Sequence, residues 1–103
     1  MAKSPVAKRL KEARLAAGLS QKSLGIAAGI DEFSASARMN QYETGKHTPD
    51  YSTLSLIAKV LKLPVAYFYA DPDELAHIIR FYSFLNAKQR KDFTTKYTTS
   101  FCK

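Results

Sequence analysis

Residues 20–45 read SQKSLGIAAGIDEFSASARMNQYETG, and the spacing of apolar residues in this stretch decides the fold. Ser20 is a good N-cap, so we predict a helix that starts at Gln21 and runs to Gly29. Glycine at position 25 removes a side chain from the middle of this helix, which lets a second helix cross it closely. The stretch therefore predicts two short helices packed against each other.

The second of these helices is predicted to begin near Ser34 or Ser36 and to end at Gly45. Met39 and Tyr42 share one face and are expected to be buried. The other side carries short or polar residues, namely Ser36, Ala37, Arg38, Asn40 and Gln41. Such a face suits hydrogen bonding to the edges of bases in a major groove, and an ordinary solvated surface is the alternative.

Further helices are predicted on both sides of this stretch. Apolar residues three and four positions apart predict a helix from Val6 that stops at Gly18. Downstream, Asp50 caps a helix that halts before Pro64, and the proline itself starts a short helix that includes Tyr69. Every element in this part of the sequence is therefore expected to be helical.

Two additional helices are predicted in the last third of the chain. Asp71 is expected to cap the first of them, whose buried stripe would consist of Leu75, Ile78, Ile79 and Tyr82. Asn86 and Gln89 frame the start of the second. Nine of the twelve aromatic residues lie at or beyond Tyr67, which is more than one small core buries comfortably. An apolar excess of this kind indicates an interface.

The composition fits one globular domain with an excess of positive charge. Hydrophobic residues make up 46% of the 103 residues and charged residues 24%. The sequence contains sixteen Lys and Arg residues and nine Asp and Glu residues, and the excess of positive charge is concentrated in residues 1–50 and 86–103. A polyanionic partner is consistent with this charge, although a solvated basic surface gives the same balance.

Several classes of protein are disfavoured by the sequence. An apolar run long enough for a membrane span or a signal peptide is missing, so we expect a cytoplasmic protein. Cys102 is the only cysteine, and His47 and His77 stand far apart, so neither a disulfide nor a metal site is expected. The sequence offers no nucleophile with a base, no carboxylate pair and no phosphate-binding glycine loop, so we expect neither an enzyme nor a cofactor.

Two segments carry a resemblance to a known family, LKEARLAAGLSQKSLGIAAGI and MNQYETGKHTPDYSTLSLIAKVLKLP. Their spacing over residues 6–69 resembles the Cro/C1-type, or Xre-like, helix-turn-helix regulators. The resemblance implies an all-α chain with a lambda-repressor-like five-helix DNA-binding domain at residues 1–70. Residues 71–103 would form a helical extension that mediates dimerisation and ends in a basic tail.

The resemblance also implies a function. It is that of a prokaryotic or phage transcriptional regulator, foremost a repressor, which binds a palindromic double-stranded operator as a homodimer. Some members of the family are antitoxins or adaptors that bind a second protein, and this remains the alternative.

Individual positions take roles from the same resemblance. The residues that would read bases are Ser36, Ala37, Arg38 and Gln41. The residues that would contact phosphates are Ser20, Gln21, Lys22, Lys46, His47 and Thr48. A buried ion pair would form between Arg14 and Glu43.

The chain departs from the family pattern in one place. Between Gly29 and Glu43 it holds about four residues more than usual, so the connection within residues 30–36 is lengthened. Two acidic residues in this connection would repel a DNA backbone. We therefore expect the connection to fold away from DNA, with Phe33 packed on the core.

Overall fold

Residues 4–98 are described in the computed structural model, and this part of the chain forms seven helices and no strand. The helices are α1 (Val6–Ala16), α2 (Gln21–Ala27), α3 (Ala35–Thr44), α4 (Tyr51–Leu61), α5 (Val65–Tyr69), α6 (Asp73–Ser83) and α7 (Ala87–Thr98). The predicted all-α fold is confirmed. Cys102 lies outside the described residues.

Local capping fixes several of these helix boundaries where the sequence predicts them. Ser20 Oγ accepts a hydrogen bond from the Ser23 N–H at 3.0 Å and starts α2. Asp50 Oδ1 accepts from the Thr53 N–H at 2.8 Å and starts α4, and this bond lowers the pKa of the Asp50 carboxyl. Gly45 ends α3 in the left-handed conformation, with φ at 79°.

All five helices from α1 through α5 contribute side chains to one apolar core. Its largest fully buried apolar side chains are Val6, Leu10, Leu24, Met39, Leu54, Ile57 and Phe68. Each of the first four helices contributes to this set, so none of them is stable by itself. The core therefore holds α3 at a fixed orientation, which matters because α3 carries the candidate site.

The crossing of α2 and α3 depends on a glycine. A Cβ atom at Gly25 would lie 2.8 Å from the Cβ of Ala35 and 3.1 Å from its carbonyl oxygen. Carbon atoms do not approach this closely without repulsion, so glycine is required by the approach of the two helices. The close crossing predicted from position 25 is present.

We expect Gly25→Ala to lower the free energy of unfolding, because the added methyl group overpacks the crossing. Overpacking typically costs about 1–3 kcal/mol, whereas the better helix propensity of alanine returns at most about 1 kcal/mol. Urea unfolding of the variant measures the balance. Gly25→Ala combined with Ala35→Gly is the matched control, since it restores the space and should recover part of the loss. A Gly25→Ala variant that is more stable than the parent protein would contradict the steric argument.

The connection between α2 and α3 forms a turn of its own. Its first residue in the core is Ile30, which is buried, and Ala35 is buried where α3 begins. Between them, Asp31 Oδ2 accepts from the Phe33 N–H and the Asp31 carbonyl accepts from the Ser34 N–H, both at 3.0 Å. Phe33 is 93% exposed, so its predicted packing on the core is wrong. Ile30 and Ala35 already fill the core at the two ends of the turn.

Helices α6 and α7 pack against each other around Phe93. The ring centroid of Phe93 lies 6.0 Å from that of Phe81, 6.2 Å from that of Tyr82 and 5.1 Å from that of Tyr97. These offset and edge-on arrangements are favourable for aromatic pairs. A reciprocal capping box of Asn86 and Gln89 starts α7, as the sequence predicts. We call α6 and α7 together the C-terminal arm.

Two expectations for α6 are wrong. Asp71 does not cap the helix, because Pro72 takes the N-cap position and the helix begins at Asp73. The predicted stripe is not buried in the single chain. Ile78 is 52% exposed, Leu75 and Tyr82 are also largely exposed, and Ile79 is partly buried. Ala76 occupies the position that faces the core, which turns the apolar stripe outward.

Candidate nucleic-acid interface

Helix α3 buries one side and projects the other. Ala35, Met39 and Tyr42 are buried. Because successive residues of a helix are rotated by about 100°, the opposite side carries a set that we call the outer face, consisting of Ala37, Asn40, Gln41 and Thr44. These residues are exposed except Gln41, which is half-buried. Short and polar side chains thus cover the projecting surface.

Two residues that were predicted to read bases lie at the edges of the outer face. Ser36 is exposed on the edge next to α2. Arg38 lies on the other edge, where its Nη2 donates to the Tyr42 hydroxyl at 2.7 Å. Its charge also contributes to the lowered pKa of Asp50. Arg38 is therefore anchored towards the loop that follows α3 and not towards the centre of the face.

Asn40 lies on the outer face, although the resemblance assigns it no role. Gln21 Nε2 donates to Asn40 Oδ1 at 3.3 Å and to Glu43 Oε1 at 3.2 Å. The start of α2 is thereby connected to the outer face by one amide. The helical period already places Asn40 with Ala37 and Gln41 on the polar side predicted from the sequence.

A bidentate ion pair holds the end of α3 against α1. Arg14 Nε donates to Glu43 Oε2 at 2.6 Å and Arg14 Nη2 donates to Glu43 Oε1 at 2.9 Å. The side chains of Arg14 and Glu43 are only 11% and 3% exposed. The bond to Glu43 outweighs the loss of hydration and raises the pKa of Arg14. Arg14 Nη1 also donates to the Leu19 carbonyl at 2.9 Å, so the pair reaches the start of α2.

The residues predicted to contact phosphates form two groups beside α3. The first group, at the start of α2, consists of Ser20, Gln21 and Lys22. The second group, in the exposed loop after α3, consists of Lys46, His47 and Thr48. The His47 N–H donates to the Gln41 carbonyl at 3.2 Å, and a shallow depression joins Arg38 and Gln41 to His47 and Thr48. The candidate interface therefore consists of the outer face with a basic group on either side.

Residues 4–98 hold neither a cluster of metal ligands nor a membrane-spanning helix. Among residues 4–98, no group of three His, Cys, Asp or Glu side chains is placed to hold a metal ion. None of the helices within that range has the length and apolar character needed to cross a membrane.

A family described as a helix-turn-helix domain matches residues 6–67, more than half of the chain. A solved structure, the crystal structure of transcriptional regulator BswR, is similar with a TM-score of 0.82 and 50% sequence identity. The alignment covers 87% of this chain and 89% of that chain. Among curated proteins, none matches the sequence.

Proposed function

The chain belongs to the helix-turn-helix domain family, and from this premise we propose that it binds double-stranded DNA sequence-specifically and regulates transcription. The observation that carries the proposal is the outer face of α3. The Gly25 crossing and the ion pair of Arg14 with Glu43 hold this face outward at a fixed orientation. A helix presented in this way fits the major groove of B-DNA.

The role that we propose for each residue in DNA binding follows from its place on α3, at the start of α2 or in the loop after α3. We propose that Gln41 and its neighbours Ser36, Ala37 and Arg38 read base edges, and we add Asn40 to this group. An amide at Asn40 or Gln41 has the donor and acceptor that adenine requires. Ser20, Gln21, Lys22, Lys46, His47 and Thr48 would contact phosphates and position the helix.

We propose a homodimer on a palindromic operator, with residues 1–70 binding DNA and residues 71–103 joining the two copies. The exposed apolar stripe of α6 supports this division, because aromatic and aliphatic side chains would be covered by a second copy. A two-fold protein matches two half-sites on DNA. Repression of a prokaryotic or phage promoter is the outcome we favour. The same stripe would suit a different protein partner, as in an antitoxin or adaptor.

Selection of binding sites from random duplexes tests the proposal. We expect enrichment of an inverted repeat whose halves are separated by about one helical turn or a multiple of it. Enrichment of a single half-site would support DNA binding and contradict the dimer. Failure to enrich any duplex, with the folded protein confirmed by circular dichroism, would contradict DNA binding itself.

Gln41→Ala and Lys46→Ala are expected to affect DNA binding in different ways. A good base contact contributes about 1–3 kcal/mol of discrimination, so Gln41→Ala should lose about tenfold or more on the selected operator and little on scrambled DNA. Lys46→Ala should weaken both duplexes alike and reduce the slope of log affinity against log salt by about one. Binding of both variants is measured on the two duplexes over a salt series.

Lys59→Ala serves as the control for charge in this comparison. Lys59 is exposed in the last turn of α4, at the opposite end of that helix from the loop after α3, and its loss should leave the salt slope unchanged. Equal losses of the Gln41→Ala variant on operator and scrambled DNA would show that Gln41 does not read sequence. A changed base preference in the Lys46→Ala variant would show that the reading face is misassigned.

A further inference from the structure

Arg9 is a charged residue of α1 that is almost completely buried, with 2% of its surface exposed. Its Nε donates to the Ala70 carbonyl and its Nη2 to the Asp71 carbonyl, both at 2.8 Å. Its Nη1 lies 2.9 Å from Asp73 Oδ1 and 3.2 Å from Glu12 Oε2. One guanidinium thus contacts residues 70–73, the segment that leads into α6 and includes its first residue, at three points.

These contacts fix the direction in which the chain enters α6. A guanidinium is planar and holds its donors in a rigid fork, so its three partners on the segment must keep one geometry. Pro72 at the N-cap fixes its own φ but forms no side-chain cap, so capping does not add to the contacts of Arg9 at this point. Lys8 Nζ adds a bond to Asp73 Oδ1 at 2.9 Å, and the two cations lower the pKa of the Asp73 carboxyl.

The C-terminal arm is otherwise attached to the rest of the chain through α6, which packs along α5. From α6, Ala76 is buried in the core and Ile79 is packed against it. Within the described residues, α7 contributes no buried side chain. These apolar contacts lie along one side of α6, and Arg9 adds polar contacts at the start of the helix, where the direction of the arm is set.

We propose that Arg9 is a positioning residue that sets the angle between the C-terminal arm and helices α1–α5. This inference rests on the proposed function for its consequence, which is the spacing of half-sites. When two copies are joined through their arms, the angle of each arm determines the distance between the two α3 helices. Recognition helices of a dimer must be about 34–36 Å apart to enter successive major grooves.

The rigidity of the arm can be measured without DNA. In ¹⁵N relaxation experiments, amides of α6 should tumble with those of α1–α5 in the parent protein. Arg9→Lys keeps the positive charge but not the fork, and the order parameters of α6 should fall relative to those of α1. Asp73→Asn should produce a smaller fall, whereas Glu74→Gln, which neutralises a neighbouring exposed carboxylate, should produce none. A rigid arm in both Arg9→Lys and Asp73→Asn would overturn the proposal.

The effect on spacing is measured with operators whose half-sites are moved apart or together by one or two base pairs. The parent protein should prefer one spacing by about tenfold or more, whereas Arg9→Lys should bind the series within about threefold. Both proteins should bind an isolated half-site equally. If Arg9→Lys does not fold, the comparison of Asp73→Asn with Glu74→Gln decides the question. An unchanged preference in folded variants would overturn the role of Arg9, and a parent protein that binds no duplex would contradict the proposed function instead.

Discussion

Glu43→Gln is expected to lower the free energy of unfolding by about 3–5 kcal/mol, the usual effect of leaving one charge of a buried pair without its partner. Arg14 stays protonated at any accessible pH and has little water around it, so its charge is not compensated. Arg14 donates to both oxygens of Glu43, so the amide NH2 of the variant would set one donor against another. Urea unfolding followed by circular dichroism measures the loss.

Two variants make this measurement specific. Glu32→Gln removes the same charge from an exposed turn and should change stability by no more than about 0.5 kcal/mol. Arg14→Met combined with Glu43→Leu removes both charges and should lose less than Glu43→Gln alone, because no unpaired ion remains. A nearly neutral Glu43→Gln variant would show that the pair does not stabilise the end of α3.

Ile78→Glu is expected to separate the proposed dimer and to weaken binding to a palindromic operator by about 10²–10⁴-fold. The factor reflects the loss of effective concentration when two linked binding units become independent. Ile78 is half-exposed in the single chain, so the substitution should leave the monomer folded while placing a charge in the interface. Sedimentation and operator binding are measured on the same samples.

Ala87→Glu is the matched control, because it introduces the same side chain at an exposed position in the first turn of α7. It should remain dimeric. A monomeric parent protein, or a dimeric Ile78→Glu variant with full operator affinity, would contradict the assignment of the interface to α6. Truncation after Tyr69 is a less informative test, since Arg9 would lose its carbonyl partners at Ala70 and Asp71.

Features of the fold that depend on neighbouring residues could be predicted from the sequence. The caps at Ser20 and Asp50 and the capping box of Asn86 and Gln89 all join residues three positions apart. The left-handed end of α3 at Gly45 is equally local. Such interactions are written in a few consecutive residues, so the helix boundaries follow from them.

Features that depend on distant partners could not be predicted in the same way. The pattern of α1 groups Arg9 with the polar residues that fill the spaces between apolar ones. Its burial arises from carbonyl groups more than sixty residues further along the chain. The prediction that the α6 stripe is buried also fails, because periodicity identifies an apolar face without identifying what covers it.

The candidate site likewise combines positions that the sequence predicts with side-chain contacts that it does not. The resemblance located α3 and the two flanking groups, because the family pattern fixes their positions along the chain. It did not indicate that Arg38 is anchored on Tyr42, or that Gln21 reaches Asn40. These contacts depend on rotamers that side chains adopt only after packing. The roles of the individual residues in reading DNA remain predictions.

The self-contained turn at Asp31 has a consequence for how such proteins diversify. Ile30 and Ala35 hold its two ends in the core, and the Asp31 carboxylate closes the loop between them. Residues gained or lost inside this turn would change how far it extends outwards and would leave α3 where it is. The length and chemistry of the turn, here an exposed Phe33 next to acidic residues, can therefore change while the orientation of α3 is kept.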